Sequence, residues 1–427
     1  MAAADASERR PRGVLEAAEA ASPVEAVEAV SGELGRALGA TRISFLIADL
    51  AGRSLARLTV EPGEHPVAAT GPDGGSMRRS GREAAQVLVF DDGPLERVLR
   101  EQTLSCTRRD DGWQVLAPVT ERGEVLGLLE LVLPDEPDEQ VLETVRWSAH
   151  VLAFVVIANR RHTDLFEWAQ RATPPTLSAE IQRRLLPAAY TCEAAAFTLA
   201  GWLEPAGRVA GDTFDYSLAR DTLHLTITDA MGHGVDSALI ATLCVGSLRN
   251  SRRQGFDVTQ TASRANDDIV QHVGEGEAFA TGLLASLHLP SGVLTAVNAG
   301  HVLPLLARAD EVHPLQLPPD VPLGMLPDSS YRSTDVQLRP GDRLLLVTDG
   351  MLERNAATLD LLSHILTTRR DHPREAVRYL ADAVVAVAGP VLPDDATLLM
   401  LDWHGGHQNP RNSHAGADIH APRSPES

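Results

Sequence analysis

The run Leu223-His224-Leu225-Thr226-Ile227-Thr228 alternates apolar and polar side chains and delivers the chain directly into Asp229. Ala230-Met231-Gly232-His233-Gly234 then breaks the alternation. A period of two reads as a half-buried strand, and a glycine-broken turn lets the backbone bend around an ion. The same idea returns in Arg343-Leu344-Leu345-Leu346-Val347-Thr348-Asp349-Gly350. It returns again in Pro393-Asp394-Asp395-Ala396-Thr397-Leu398-Leu399-Met400-Leu401, and Gly211-Asp212-Thr213-Phe214-Asp215 adds an acidic stretch upstream. A chain that presents aspartates at the ends of several β-rich segments is organised to carry a carboxylate cluster.

Hard divalent cations take oxygen ligands and keep several waters. Asp212, Asp229, Asp349 and one of Asp394 and Asp395 supply carboxylates from separated strands or turns. Histidine and cysteine form no competing cluster at zinc spacing; the turn after Asp229 offers His233 alone. Such a donor set points to Mg²⁺ or Mn²⁺. Two ions close together would lower the pKa of a bridging water and offset charge on a phosphoryl group. A lone Asp-Gly is ordinarily a turn or a cap, but four aspartates at the ends of apolar runs ask for more than that.

A length of 427 residues predicts two or three domains, and 44% hydrophobic residues suffice for buried cores. The formal charge of -20 argues against nucleic acid as a partner, since that affinity rests on clustered cations. Cys106, Cys192 and Cys244 are far apart and odd in number, which fits a reducing cytosol without a disulfide framework. The first residues lack the apolar core of a signal peptide, and no run of about 18 apolar residues is present, so a cytoplasmic chain with no membrane partner is expected.

Residues 1–20 read as a flexible N-terminus. Ser22-Pro23-Val24-Glu25 has the form of a helix start, with Ser at the cap and Pro at the first position. Across 21–162 the expected order is helix, β-hairpin, loop, strand, short helix, second hairpin and a long helix from Asp135. Residues 163–187 form a helical segment broken at Pro174-Pro175, with Thr176 or Ser178 available as a cap; it is either a plain linker or a lever between domains. Residues 188–403 hold many strands and helices in blocks, an α+β sandwich rather than an alternating parallel fold. Residues 404–427, including His404, His407, His414 and His420, read as a disordered tail.

The order of elements in 21–162, with Ala117-Pro118-Val119 and Val125-Leu126-Gly127-Leu128-Leu129-Glu130-Leu131 in its second hairpin, resembles a GAF domain. The resemblance implies a sensor with a small ligand of unknown identity. The ordered motifs Gly211-Asp212, Asp229-Ala230-Met231-Gly232-His233-Gly234, Asn298-Ala299-Gly300-His301, Thr348-Asp349-Gly350 with Glu353, and Asp394-Asp395-Ala396-Thr397 resemble the SpoIIE/RsbU-type branch of the PPM metal-dependent serine/threonine phosphatases.

That second resemblance implies a β-sandwich flanked by helices and a two-ion centre using Mn²⁺ or Mg²⁺. Asp212 and Asp229 would hold the first ion with the Ala230 carbonyl, and Asp349 and Asp394 the second, with Asp229 bridging. Asp394 is preferred over Asp395 because the family uses the first acid of that pair. Asp215 is expected to orient metal-bound water, His233 to donate to phosphate or to brace its loop, and His301 to hold its turn. Ala210 stands where the family usually has glycine, and Arg208 is the nearest arginine in sequence.

The implied substrate is a phosphorylated anti-sigma-factor antagonist of the STAS type, with the GAF-like domain as regulator. A homodimer is expected through the long helix. The alternatives are a phosphatase fold that only sequesters a partner, and a phosphoesterase for small molecules.

Overall fold

The computed structural model describes residues 13–406 apart from 50–51, 61–75, 81–82, 172–175, 206–210, 275–277, 353–358 and 390–391, together with 416–417. The chain divides into two compact units, 1–174 with 412–419, and 175–411 with 420–427.

In the first unit a seven-stranded antiparallel sheet runs in the order Ser76–Ser80, Glu83–Val89, Ser54–Val60, Arg42–Ala48, Glu124–Leu133, Gly112–Glu121, Ser105–Arg109. Helices Ala26–Leu38 and Glu139–Asn159 cover one face. Val27, Val30 and Leu34 from the first and Val145, Ala149 and Leu152 from the second bury against Phe45, Ile47, Val115, Leu129 and Leu131. The opposite face sets Leu46, Leu55, Leu116 and Leu128 against Val98 and Leu99 of helix Pro94–Glu101. Each buried aliphatic side chain contributes about 1.5–3 kcal/mol.

The described structure alters two sequence expectations here. Residues 13–20 are helical, and Val14 joins the core at 5% exposure, so the stretch 1–20 is not loose throughout. Ser22 does not cap the helix; its hydroxyl donates to the Glu25 carboxylate and the helix begins at Ala26. Glu139–Asn159 is long and apolar enough to cross a membrane by length and composition, yet its Val145, Ala149, Leu152 and Val156 are buried against the sheet.

The second unit stacks two six-stranded sheets. One runs Asp212–Leu218, Thr222–Ala230, Ala280–His288, Val293–Ala299, Pro319–Asp320, with Thr334–Gln337 also paired to Val293–Ala299. The other runs Glu311–Pro314, Leu305–Arg308, Arg343–Val347, Ala396–Trp403, Phe197–Glu204, Thr191–Glu193. Phe214, Leu225, Ile227 and Leu283 of the first sheet meet Phe197, Leu199, Leu344 and Leu399 of the second between the layers.

Helices Val235–Arg253 and Val258–Val273 close the outer face of the first sheet through Ala241, Val245, Ala262 and Ile269. Pro373–Ala388 closes the outer face of the second through Ala376, Leu380 and Val384. The Ala396–Trp403 strand is buried at every residue, as a strand must be when it lies between a core and a helix layer. The architecture is α+β, with helices outside two packed sheets that are antiparallel apart from the short Pro319–Asp320 strand.

The segment 163–187 does not behave as one linker. Its second helix, Leu177–Leu185, is capped by Thr176, whose hydroxyl accepts from the Ala179 amide, and it packs within the second unit. At the other end His404 is not a free tail residue: its ring pairs with the Thr198 hydroxyl at 2.8 Å and its amide donates to Ala196. His407, His414 and His420 lie outside the described residues.

Candidate metal centre

Asp212 and Asp229 occupy directly opposed positions on neighbouring antiparallel strands, so their side chains share one face. The alternation that buries Phe214, Leu225 and Ile227 between the sheets turns both carboxylates the same way. Asp212 is 3% exposed, and Asp229 is half-buried. One oxygen of Asp212 accepts from the hydroxyls of Thr348 and Thr397, each at 2.7 Å, which fixes the carboxylate from the opposing sheet. Burial, then the nearby charges of Asp229 and Asp395, push the Asp212 carboxyl well above the usual range, against the pull of the two threonine hydroxyls.

The turn after Asp229 is built on glycine for stated reasons. A Cβ on Gly211 would lie 2.4 Å from the Ala230 carbonyl oxygen, and the Ala230 amide donates to the Gly211 carbonyl at 3.1 Å. Gly232 and Gly234 have φ of 105° and 74°, in the region that favours glycine. The backbone therefore carries the Ala230 carbonyl close past Gly211. His233 is exposed on this turn.

Asp395 is buried, and one of its oxygens is held by three donors of the protein. Its Oδ2 accepts from Gln182 Nε2 at 2.7 Å, from the Gly211 amide at 3.1 Å and from the Asp212 amide at 3.4 Å. It holds the backbone beneath Asp212. Asp394 is half-buried, and its Oδ1 accepts from the Asp395 amide at 3.0 Å. Asp349 is half-buried at the start of a single 3₁₀ turn, one residue beyond the threonine that grips Asp212.

Asp212, Asp229 and Asp395 are thus brought together, with Asp349 and Asp394 each one residue from a group that holds Asp212 or its backbone. Among the described residues, no three His, Cys, Asp or Glu side chains are grouped closely enough to enclose an ion. The donor chemistry still fits a hard cation: these carboxylates and the Ala230 carbonyl are oxygen donors, and the buried Asp212 charge faces two further acids.

Asp215 departs from its expected part. It lies three residues from Asp212 on one strand, and that odd spacing turns it to the other face. There Arg249 meets it with both Nε and Nη2, at 3.1 and 2.9 Å, and Arg252 adds a bond at 3.0 Å. It anchors helix Val235–Arg253 and does not face the Asp212–Asp229 pair.

Gln182 was not singled out from sequence. It is 1% exposed, and its amide reaches both Asp395 and the Asp212 carbonyl, at 2.7 and 2.8 Å. The available signal was a polar residue on the apolar face of Leu177–Leu185, where only a partnered group is stable. His301 reaches well beyond its own turn. Its Nδ1 pairs with the Thr281 hydroxyl at 2.7 Å and its Nε2 with the Val347 carbonyl at 3.1 Å. Burial lowers its pKa to about 4. Ala210, Arg208 and Glu353 lie outside the described residues.

Residues 219–404 match the family model described as Stage II sporulation protein E (SpoIIE). Phosphoserine phosphatase RsbU of Bacillus subtilis is 23% identical over 281 residues, covering 64% of this chain and 83% of RsbU. Phosphoserine phosphatase RsbP of the same organism is 24% identical over 181 residues, 42% of this chain; the match spans only 44% of RsbP. The solved RsbU and RsbW domains of Rv1364c from Mycobacterium tuberculosis share 25% identity at a TM-score of 0.45, covering 51% of this chain and 63% of that one.

Proposed function

We propose that this chain, which carries a SpoIIE-family domain over residues 219–404, is a metal-dependent phosphatase that hydrolyses phosphoserine or phosphothreonine in a protein substrate. The observation that carries the reading is the Asp212–Asp229 pair: two carboxylates in register at one end of a sandwich, one of them buried beside a third acid. The names of RsbU and RsbP as phosphoserine phosphatases support the same chemistry.

Asp212, Asp229 and the Ala230 carbonyl are the residues that would hold a first Mn²⁺ or Mg²⁺, and Asp349 and Asp394 a second, with Asp229 shared. When bound, the ions supply a hydroxide nucleophile at neutral pH and offset the charge of the phosphoryl group. The protein's own residues do the positioning. Thr348 and Thr397 hold one Asp212 oxygen from the opposing sheet, and Asp395 with Gln182 fixes the backbone under it. His233, exposed on the adjoining turn, is the residue proposed to give a proton to the departing seryl oxygen.

The substrate is a phosphorylated anti-sigma-factor antagonist of the STAS type, and the protein works in the cytoplasm. Residues 21–162 form a GAF-like sensor for a small ligand, and the long helix Glu139–Asn159 contributes to a homodimer. The exposed Trp147 and Phe154, seven residues apart on that helix, support a contact there.

The test is Mn²⁺-dependent phosphate release from p-nitrophenyl phosphate and from a phosphoserine peptide, using the full chain and Asp229→Asn. Turnover of both substrates that Asp229→Asn abolishes is expected. Metal binding with no turnover of either would replace this reading by a sequestering module, and turnover of the small ester alone by a small-molecule phosphoesterase.

A further inference from the structure

We infer that His301 is a positioning residue that ties the Asp229 end of one sheet to the Asp349 end of the other. The inference rests on the metal-dependent reading above.

The row of residues across the first sheet explains the placement. Asp212 pairs with Asp229, and Asp229 pairs in turn with Thr281, so the three side chains lie along one line on the inner face. The His301 ring continues that line through Thr281 Oγ1. On its other side, Nε2 meets the carbonyl of Val347, in the strand that leads to Asp349. A carbonyl only accepts, so Nε2 carries the proton. Burial keeps the ring neutral, so Nδ1 accepts from the Thr281 hydroxyl and both nitrogens are used.

The backbone around the ring is also set. The His301 amide donates to Asn298 Oδ1 at 2.7 Å, and Asn298 Nδ2 donates back to the His301 carbonyl at 3.1 Å. Gly300 at φ 69° allows the turn and packs on Pro322, whose ring a Cβ would meet at 2.9 Å. None of these bonds holds Val347. The imidazole spans the gap to the second sheet, beside the bonds from Thr348 and Thr397 to Asp212.

Val347, Thr348 and Asp349 then take consecutive parts. The first receives His301, the second grips Asp212, and the third is a proposed ligand. His301 and Thr348 fasten the same strand end at adjacent residues, one through the backbone and one through a side chain. Losing the imidazole removes the cross-sheet support of the Val347 carbonyl, while Val347 stays paired with Leu398 within its own sheet.

The experiment is Mn²⁺ titration by calorimetry on the full chain, with thermal midpoints in EDTA measured beside it. His301→Phe keeps the ring volume and removes both bonds; Thr281→Val removes the hydroxyl alone; Thr281→Ser restores it. About tenfold weaker Mn²⁺ binding is expected for the first two, with Thr281→Ser close to wild type. His301→Phe combined with Thr281→Val should bind no more weakly than His301→Phe alone, since both break one connection.

A purely structural role would lower the thermal midpoint and leave Mn²⁺ affinity within twofold of wild type, and that result would overturn the inference. Should His301→Phe fail to fold, Thr281→Val decides the matter by the same criterion. Asp229→Asn separates the two levels. If wild type itself binds Mn²⁺ no better than Asp229→Asn, the metal reading fails and takes this inference with it. If wild type binds and Asp229→Asn does not, while Thr281→Val binds as wild type does, only the His301 inference fails.

Discussion

Glu130 in the first unit and Asp212 in the second are buried to the same degree, each 3% exposed, yet their surroundings are opposite. Glu130 receives Arg57 Nη2 and Gln114 Nε2, each at 2.8 Å, so a guanidinium answers its charge inside the sheet. Asp212 receives two threonine hydroxyls and lies beside Asp229 and Asp395. Three other buried acids of the second unit, Asp215, Asp342 and Asp402, follow the Glu130 pattern. Asp402 is bound by Arg343 through Nε at 2.6 Å and Nη2 at 2.9 Å, and Asp215 by Arg249 and Arg252. A buried acid with its own arginine is part of the scaffold. A buried acid beside other acids calls for a cation from outside.

The comparison breaks most visibly in catalysis. Asp212→Asn and Asp229→Asn should each lower Mn²⁺-dependent phosphate release on the order of 10⁴-fold, read by steady-state assay, the scale on which central catalytic groups act. Glu130→Gln should leave the catalytic assay of the folded protein unchanged. A comparable loss from Glu130→Gln would erase the distinction between the two acids.

Stability sharpens it next. Glu130→Met leaves Arg57 without its carboxylate and should cost about 4 kcal/mol in urea unfolding. Asp212→Asn in EDTA should cost nothing or raise stability, because it removes a charge that burial and two neighbours already oppose. A large destabilisation by Asp212→Asn without metal would contradict this account.

A smaller effect comes from pH. The pKa of His301 falls from 6.5 to about 4 on folding, so the unfolded chain binds the extra proton between those values. Its contribution to stability is complete above about pH 6.5 and is lost as pH falls toward 4, a change of up to ~3 kcal/mol. The difference between wild type and His301→Phe, in EDTA across that window, should show this slope. A flat difference would mean that the ring is not held neutral.

The smallest effect belongs to Gln182. Gln182→Ala removes two hydrogen bonds beneath Asp212 and should cost about 1–3 kcal/mol, with the Gly211 and Asp212 amides still donating to Asp395. Gln182→Leu, which fills the volume, separates the packing part from the polar part.

Much of the fold is legible in local patterns. The helices Val258–Val273 and Pro373–Ala388 carry their signals locally: the first opens on the Asp257–Gln260 capping box and the second on a proline in its first turn. The strand into Asp229 was readable because Leu223, Leu225 and Ile227 alternate with smaller polar residues. The Asp212–Leu218 strand was harder to see: Asp212-Thr213-Phe214-Asp215 carries acids on both faces, so alternation of polarity does not mark it. Val14 and the 13–20 helix were hidden by an alanine-rich, charged composition, although burying one valine ties that turn to the core.

The sequence by itself determined which residues could supply oxygen ligands, and the register of two, for strands, that turns Asp212 and Asp215 apart. It did not determine which acids would meet an arginine. Asp215 finds Arg249 34 positions away and Asp402 finds Arg343 59 away, while Gln182 crosses 213 positions to reach Asp395. Hydrophobic periodicity is local, and it decides how each element faces the core. Whether a buried charge is answered or left open is decided only when distant elements pack, because the energy of that charge depends on every group within a few ångström, whatever its place in the chain.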